Sequence, residues 1–285
     1  MAAVTSHTVT TLTEFTEVVE RELAATRARN GGVKRPGNWY RGHSSHTYKL
    51  QPTLYRHPAT KAVHQLLNLE GEMMADFLRL DVIVKEAAGR GDWDDDKLKL
   101  LCYMQHNQVP TRLLDWTGNP YIGLHFALAE QTGRNANKRH DAVVWVLDPW
   151  AWNERALREQ TWGRAGPATT GSLGIQGYAP RDVWAGDDFD RMQLYPTALR
   201  GPINSQRIFA QKGSFTIFGK QKDPMEKIYD KATFPDGCLV KIVVPAERRY
   251  DLLETLINIG YTDSVAYPDL HGLALEIRRL RGFRM

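Results

Sequence analysis

The sequence predicts an α+β domain, a mixed or split β-sheet core with flanking helices. Short apolar or alternating runs are scattered between segments of helical spacing without regular alternation, which argues against a doubly wound sheet. The most continuously apolar run, Ala142 to Leu147, reads as a strand buried on both faces. The stretch Gln105 to Glu130 threads ionisable residues through an apolar run and reads as strand, turn and helix.

Composition sets the outer bounds. A chain of 285 residues is long enough to bury a large core. Lys and Arg number 37 against 33 Asp and Glu and are spread along the chain, which permits an anionic partner without requiring one. Cys102 and Cys238 lack metal-ligand neighbours, so a disulfide framework is not expected. The first residues have neither a basic start nor an apolar core, and no apolar run approaches the ~20 residues that span a bilayer. The expectation is a cytoplasmic protein with no membrane partner.

Leu12, Phe15, Val18, Val19 and Leu23 recur at helical spacing, and Thr11 with Glu14 is placed as a capping box. Residues 1–36 are therefore expected to form a helix and linker packed on a main domain of residues 37–285. Trp39 to Gly42 reads as a short strand with Trp39 and Arg41 on one face and Tyr40 on the other. Ala62 to Ala88 is strongly helical, with Leu66, Leu69, Met73, Phe77, Leu80 and Val84 on one stripe and Glu70 at its solvated edge. After GRGDWDDD a helix resumes with Leu98, Leu101, Cys102 and His106 along one side.

Leu113 and Leu114 would start the strand of the central stretch. Thr117 to Pro120 would turn it, Pro120 fits a first helical turn, and Ile122, Leu124, Phe126, Ala127 and Leu128 would be buried. Residues 148–201 read as irregular. Arg207 to Phe218 reads as two strands kinked at Gly213, Leu239 to Val244 as a strand, and Arg248 to Ile259 as a helix. Pro268, Asp269 and Leu270 would turn into a short terminal element.

Several residues stand out chemically. An arginine cannot shed its proton, so Arg41 beside a buried tryptophan needs an anionic or carbonyl partner, and Gly42 lets a backbone or ligand come close. Glu70 or Asp115 could be that partner. Arg112 and Asp115 could equally pair with each other and pin the turn. His106 could be a core histidine or a general base, and Gln211 and Asp269 could serve as turn caps. His43 and His46 lack a third ligand at a familiar spacing, so no metal site is assigned. Phosphate-loop, dinucleotide-fingerprint and common hydrolase motifs are absent.

Tyr40-Arg41-Gly42, Leu50 to Arg56, Gln105-His106 with Pro110 to Pro120, and Tyr267 to Ala274 together resemble the FRG domain family, named for its Phe/Tyr-Arg-Gly motif. The resemblance runs from Trp39 to near the end of the chain. The family is met in bacterial and phage proteins, some linked to conflict systems. The resemblance implies a toxin or anti-phage defence effector with an antitoxin or immunity partner.

The order of elements is also similar to the ADP-ribosyltransferase fold. Arg41 matches its early basic position. Asp115-Trp116-Thr117 followed by Gly123 to Ala127 matches its strand and helix, and Ala210 to Gly213 its late position. That similarity implies NAD as substrate and a protein, RNA or DNA target. It assigns Arg41, His106, Arg112, Asp115 and Gln211 to catalysis, and Tyr40, Gly42, Thr117 and Asp269 to NAD binding. Gln211 stands where such enzymes carry glutamate, and glutamine neither takes a proton nor carries charge. Asp115, Asp269 or Glu70 could supply the acid. The alternatives are a nucleotide or nucleic-acid binding module without turnover, and a metal-dependent nuclease using Asp115, Asp269 and His106.

Overall fold

A computed structural model describes residues 4–32, 37–79, 96–129, 140–158, 166–202, 206–231 and 234–283. Among them, strands β1 (Thr5–Thr8), β2 (Trp39–His43), β3 (Leu113–Thr117), β4 (Ala142–Leu147), β5 (Ala168–Thr169), β6 (Thr197–Arg200), β7 (Gly213–Ile217) and β8 (Leu239–Val244) form one mixed sheet. Its order is β1-β8-β4-β2-β3-β7-β6-β5. Pairing is parallel between β1 and β8 and between β5 and β6, and antiparallel elsewhere.

The sheet divides in its middle. β2 pairs with β4 from Trp39↔Leu147 to His43↔Val143, and β3 pairs with β7 from Leu113↔Ile217 to Thr117↔Gly213. Between β2 and β3 the register holds at Tyr40↔Thr117 alone. Beyond that pair the two strands part, and Arg41 and Gly42 lose the neighbours that continued antiparallel register would supply.

Helices α1 (Leu12–Arg29), α2 (Val63–Arg79), α3 (Lys97–His106) and α4 (Pro120–Ala129) precede β4, and α5 (Pro149–Ala156) and α6 (Gly186–Asp190) precede β6. α7 (Gln206–Gln211), α8 (Met225–Lys231), α9 (Arg249–Asn258), α10 (Asp263–Ala266) and α11 (Leu270–Leu280) follow. Alternation along the strands feeds two layers. Tyr40, Val144, Val146, Val240 and Ile242 pack with Phe15, Val18, Leu124 and Leu253 on one side of the sheet. Trp39, Trp145, Leu147 and Leu239 pack with Leu54, Leu66, Trp152 and Tyr229 on the other. A third core joins Leu113, Phe215 and Ile217 to Leu98 and Leu101 of α3.

The central strand, turn and helix form as expected, with Leu124, Ala127 and Leu128 buried and Phe126 half-buried. Gly42 has a packing reason. A Cβ there would stand 2.2 Å from Gly123 O and 2.4 Å from Ala127 N, so the glycine lets α4 lie directly on β2.

Other expectations change. The amino-terminal segment contributes an edge strand to the same sheet, β1, as well as a helix. Thr11 caps α1, and Glu14 reaches back to Thr10 N at 2.6 Å as well as towards the Thr11 backbone. In α2 the buried residues are Leu66, Leu67, Glu70 and Met74, so the buried face is rotated by about one residue from the apolar stripe. Leu80, Val84 and the helix beyond Arg79 lie outside the described residues. Residues 148–201 hold α5, β5, a short 3-10 turn (Leu173–Tyr178), α6 and β6.

Residues 206–211 are a helix where a strand was expected. The break falls one residue before Gly213, at Lys212, whose φ of 47° is left-handed. The last described helix is α11, and its Leu270, Leu273, Ile277 and Leu280 are exposed. No helix among the described residues is long and apolar enough to cross a membrane. Both cysteines are free and buried.

Candidate active site

The parting of β2 from β3 opens a cavity of about 820 Å³, within the size range of small-molecule sites. Its walls come from β2, the end of α3, β3, α4, the start of β7, and the segment from α10 through α11. Of the residues singled out in the sequence, Tyr40, Arg41, Gly42, His106, Asp115, Thr117 and Gln211 line it.

Arg41 spans the opening. Its Nη1 donates to the backbone carbonyl of Asp115 at 2.7 Å, satisfying an acceptor that lies beyond the last β2–β3 ladder pair. The same nitrogen stands 3.8 Å from Asp115 Oδ2, and Nε donates to His43 Nε2 at 3.1 Å. His43 can accept because it stays neutral. Burial, reinforced by the Arg41 charge, pushes its pKa down from 6.5 to about 3. The Arg41 side chain is 24% exposed and that of Asp115 55%, so both present atoms to the cavity.

Thr117 donates its hydroxyl proton to Gln211 O and accepts from Asn119 N at 3.1 Å. Gln211 Nε2 donates to Ala266 O at 2.7 Å. Gln211 thus braces β3 against α10, a structural use of its amide that the sequence did not disclose. Lys212, turned left-handed, accepts from Gly118 N at 3.1 Å and ties the start of β7 to the turn after β3.

Two candidates stand elsewhere. Arg112 is fully buried away from the cavity. Its Nε lies 2.9 Å from Glu70 Oε2, its backbone N–H donates to Glu70 Oε1 at 3.0 Å, and its Nη2 donates to Tyr178 O. The partner of Arg112 is therefore Glu70 and not Asp115. Glu70 is buried, neither solvated nor beside Arg41, and is not available as the missing acid. Burial raises its pKa, opposed by the Arg112 charge and hydrogen bonds. Asp269 is the N-cap of α11. Its Oδ1 accepts from Gly272 N at 2.9 Å, and it does not line the cavity.

Other lining residues were not anticipated: Gln105, Phe126, Asp263, Tyr267, His271 and Arg278. Phe126 and Tyr267 have ring centroids 5.3 Å apart, and Tyr267 and His271 6.0 Å, giving the cavity an aromatic wall. Asp263 is held by Arg279 at 2.7 and 3.0 Å and stands 3.4 Å from His125 Nε2. Burial raises its pKa, but the His125 and Arg279 contacts win and keep the carboxyl well below the usual range. It is a locked anion, so Asp115 is the open carboxylate among the described lining residues. The segment Tyr267 to Gly272 was noticed in the sequence; Tyr267 and His271 lie on either side of the Asp269 chosen from it.

Among the described residues no group of three or more His, Cys, Asp or Glu could hold a metal ion. The arrangement offers instead a guanidinium, an open carboxylate, a fixed hydroxyl and an aromatic wall, a set suited to a ligand with an anionic part and a flat ring.

Residues 37–136 match the family model of the FRG domain, a span shorter than the Trp39-to-terminus stretch that the motifs cover. No curated protein and no solved structure matches the chain. The matched span contains Arg41, Asp115 and Thr117, the residues of β2 and β3 that frame the cavity. Residues 37–136 of this chain thus carry an FRG domain.

Proposed function

We propose that the cavity binds NAD and that the protein transfers ADP-ribose from it to a protein or nucleic-acid target, acting as a bacterial or phage toxin or defence effector. The observation that carries this reading is the convergence of Arg41, Asp115 and Thr117 where β2 and β3 part. A cation on one lip and an exposed carboxylate on the other fit a substrate with a pyrophosphate and a ribose that develops positive charge.

In the transfer, the bond between ribose C1′ and nicotinamide nitrogen breaks, and its electron pair leaves with nicotinamide. Arg41 would pair with the pyrophosphate, and the Phe126–Tyr267 wall would take a flat ring. Asp115 would face the developing charge at C1′ and accept the proton of the target nucleophile as the new bond forms. The acid thus comes from β3 and not from Gln211.

The second reading, binding without turnover, is favoured by Gln211, whose amide is engaged with Ala266. A nuclease reading loses its carboxylate set, because Asp269 caps α11 away from the cavity.

Nicotinamide release separates these readings. Wild type with NAD and bacterial lysate should release nicotinamide well above the Arg41→Ala variant. Ligand-induced thermal stabilisation by NAD with no release from wild type would favour the binding module. Neither release nor stabilisation would overturn both.

A further inference from the structure

We propose that Gln105 is the positioning residue for Asp115, part of a directed hydrogen-bond relay that runs from the backbone of β3 through Thr111 and Gln105 back to the open carboxylate. The relay is read from its distances and donors. Leu113 N donates to Thr111 Oγ1 at 3.1 Å, so the Thr111 hydroxyl proton is free to point onward. It donates to Gln105 Oε1 at 2.6 Å, and Gln105 Nε2 donates to Asp115 Oδ2 at 2.6 Å.

The direction is fixed by chemistry. An ionised carboxylate only accepts, so Gln105 must turn its NH2 to Asp115 and its carbonyl to the threonine. A glutamate at 105 could not do both. Asp115 is 55% exposed on a strand edge, and without this contact its carboxylate would be free to rotate into solvent. Gln105 holds one oxygen, leaving the other for the cavity, beside the Arg41 that grips the carbonyl of the same residue.

The relay also explains the spacing of the segment. Gln105 sits in the last turn of α3, and the turn through Gln108, with φ of 64°, brings Thr111 back under it. Thr111, Arg112 and Asp115 then have separate jobs: orienting Gln105, anchoring to Glu70, and facing the cavity.

The inference deepens the proposed transfer reaction and rests on it for its kinetic consequence, but its geometric content stands apart. The test is a double-mutant cycle on the full chain with Gln105→Leu, Asp115→Asn and the combination. In nicotinamide release, Gln105→Leu should lower kcat about tenfold or more with little change in KM, the size of one charge-assisted hydrogen bond. In the Asp115→Asn background it should do almost nothing further.

Equal losses in both backgrounds, or a loss confined to KM, would overturn the positioning role. A readout independent of turnover is the Gln105 side-chain amide NMR signal. It should be shifted and exchange-protected in wild type and should move to the ordinary range in Asp115→Ala. An ordinary amide signal in wild type would overturn the relay even if the enzyme turns over. A shifted signal without nicotinamide release would leave the relay standing and remove the transferase.

Discussion

Arg41 Nη1 and the carbonyl oxygen of Asp115 are 2.7 Å apart, and this bond spans the gap where β2 and β3 cease to pair. A side chain here takes over what the ladder has given up. The guanidinium both closes the fold locally and lines the cavity, so the residue stands between structure and ligand.

Because its bond to the Asp115 carbonyl lies on a partly exposed side chain, Arg41→Ala should cost little stability, on the order of 1 kcal/mol. It should weaken NAD binding at least tenfold. Calorimetric titration beside urea unfolding checks both. A lost fold would mean that the bridge to Asp115 is the residue's whole role.

Arg112 should behave in the opposite way. Arg112→Ala leaves the Glu70 carboxylate buried without its cation, and breaking such a pair costs about 3–5 kcal/mol. Adding Glu70→Leu should recover much of that loss. Urea midpoints of the three proteins read it directly, and an Arg112→Ala protein of full stability that had lost NAD binding would return Arg112 to the site.

Asp269→Ala removes the N-cap of α11 and should destabilise by about 1 kcal/mol. NAD affinity should be unchanged, because Asp269 does not line the cavity. A tenfold drop in affinity at constant stability would contradict its placement.

His43 gives a pH signature. Its folded pKa, about 3, lies below its unfolded value of 6.5, so acidification protonates the unfolded chain first. Stability is then complete above about pH 6.5 and declines as pH falls towards 3. Between pH 7.5 and 5 the loss should be about 2 kcal/mol. Urea unfolding of wild type and His43→Gln at both pH values isolates it; equal slopes would mean that His43 is not held neutral.

Where the sequence was legible, burial wrote a period into it. Ala142 to Leu147 and Leu239 to Val244 are covered on both or alternate faces, and Leu12 to Arg29 shows one helical stripe behind a threonine cap. β1 was invisible because Thr5 to Thr8 is a polar edge strand with no buried side chain. Residues 206–211 misled because a non-glycine, Lys212, took the left-handed position, and Gly213 drew attention away from it.

The site divides along a similar line. Local patterns placed Arg41, Asp115 and Thr117 on their strands, but only the resemblance to the ADP-ribosyltransferase fold brought the three together. Glu70 could not be assigned, because its burial depends on Arg112, forty-two positions away. Gln105 was passed over for its neighbour His106, since its role appears only when Thr111 and Asp115 fold back around it. Asp269 looked functional beside a proline, while the residues that reach the cavity, Tyr267 and His271, lie two positions to either side.

The central claim is that the Arg41–Asp115 cavity performs transfer. The most direct measurement is incubation of the protein with NAD labelled in its adenylate phosphate and a bacterial lysate, followed by counting label in the macromolecular fraction. Wild type should label a protein or nucleic-acid species, and folded Arg41→Ala and Asp115→Ala should label none. Label that is absent with wild type, or that persists undiminished in both variants, would contradict it.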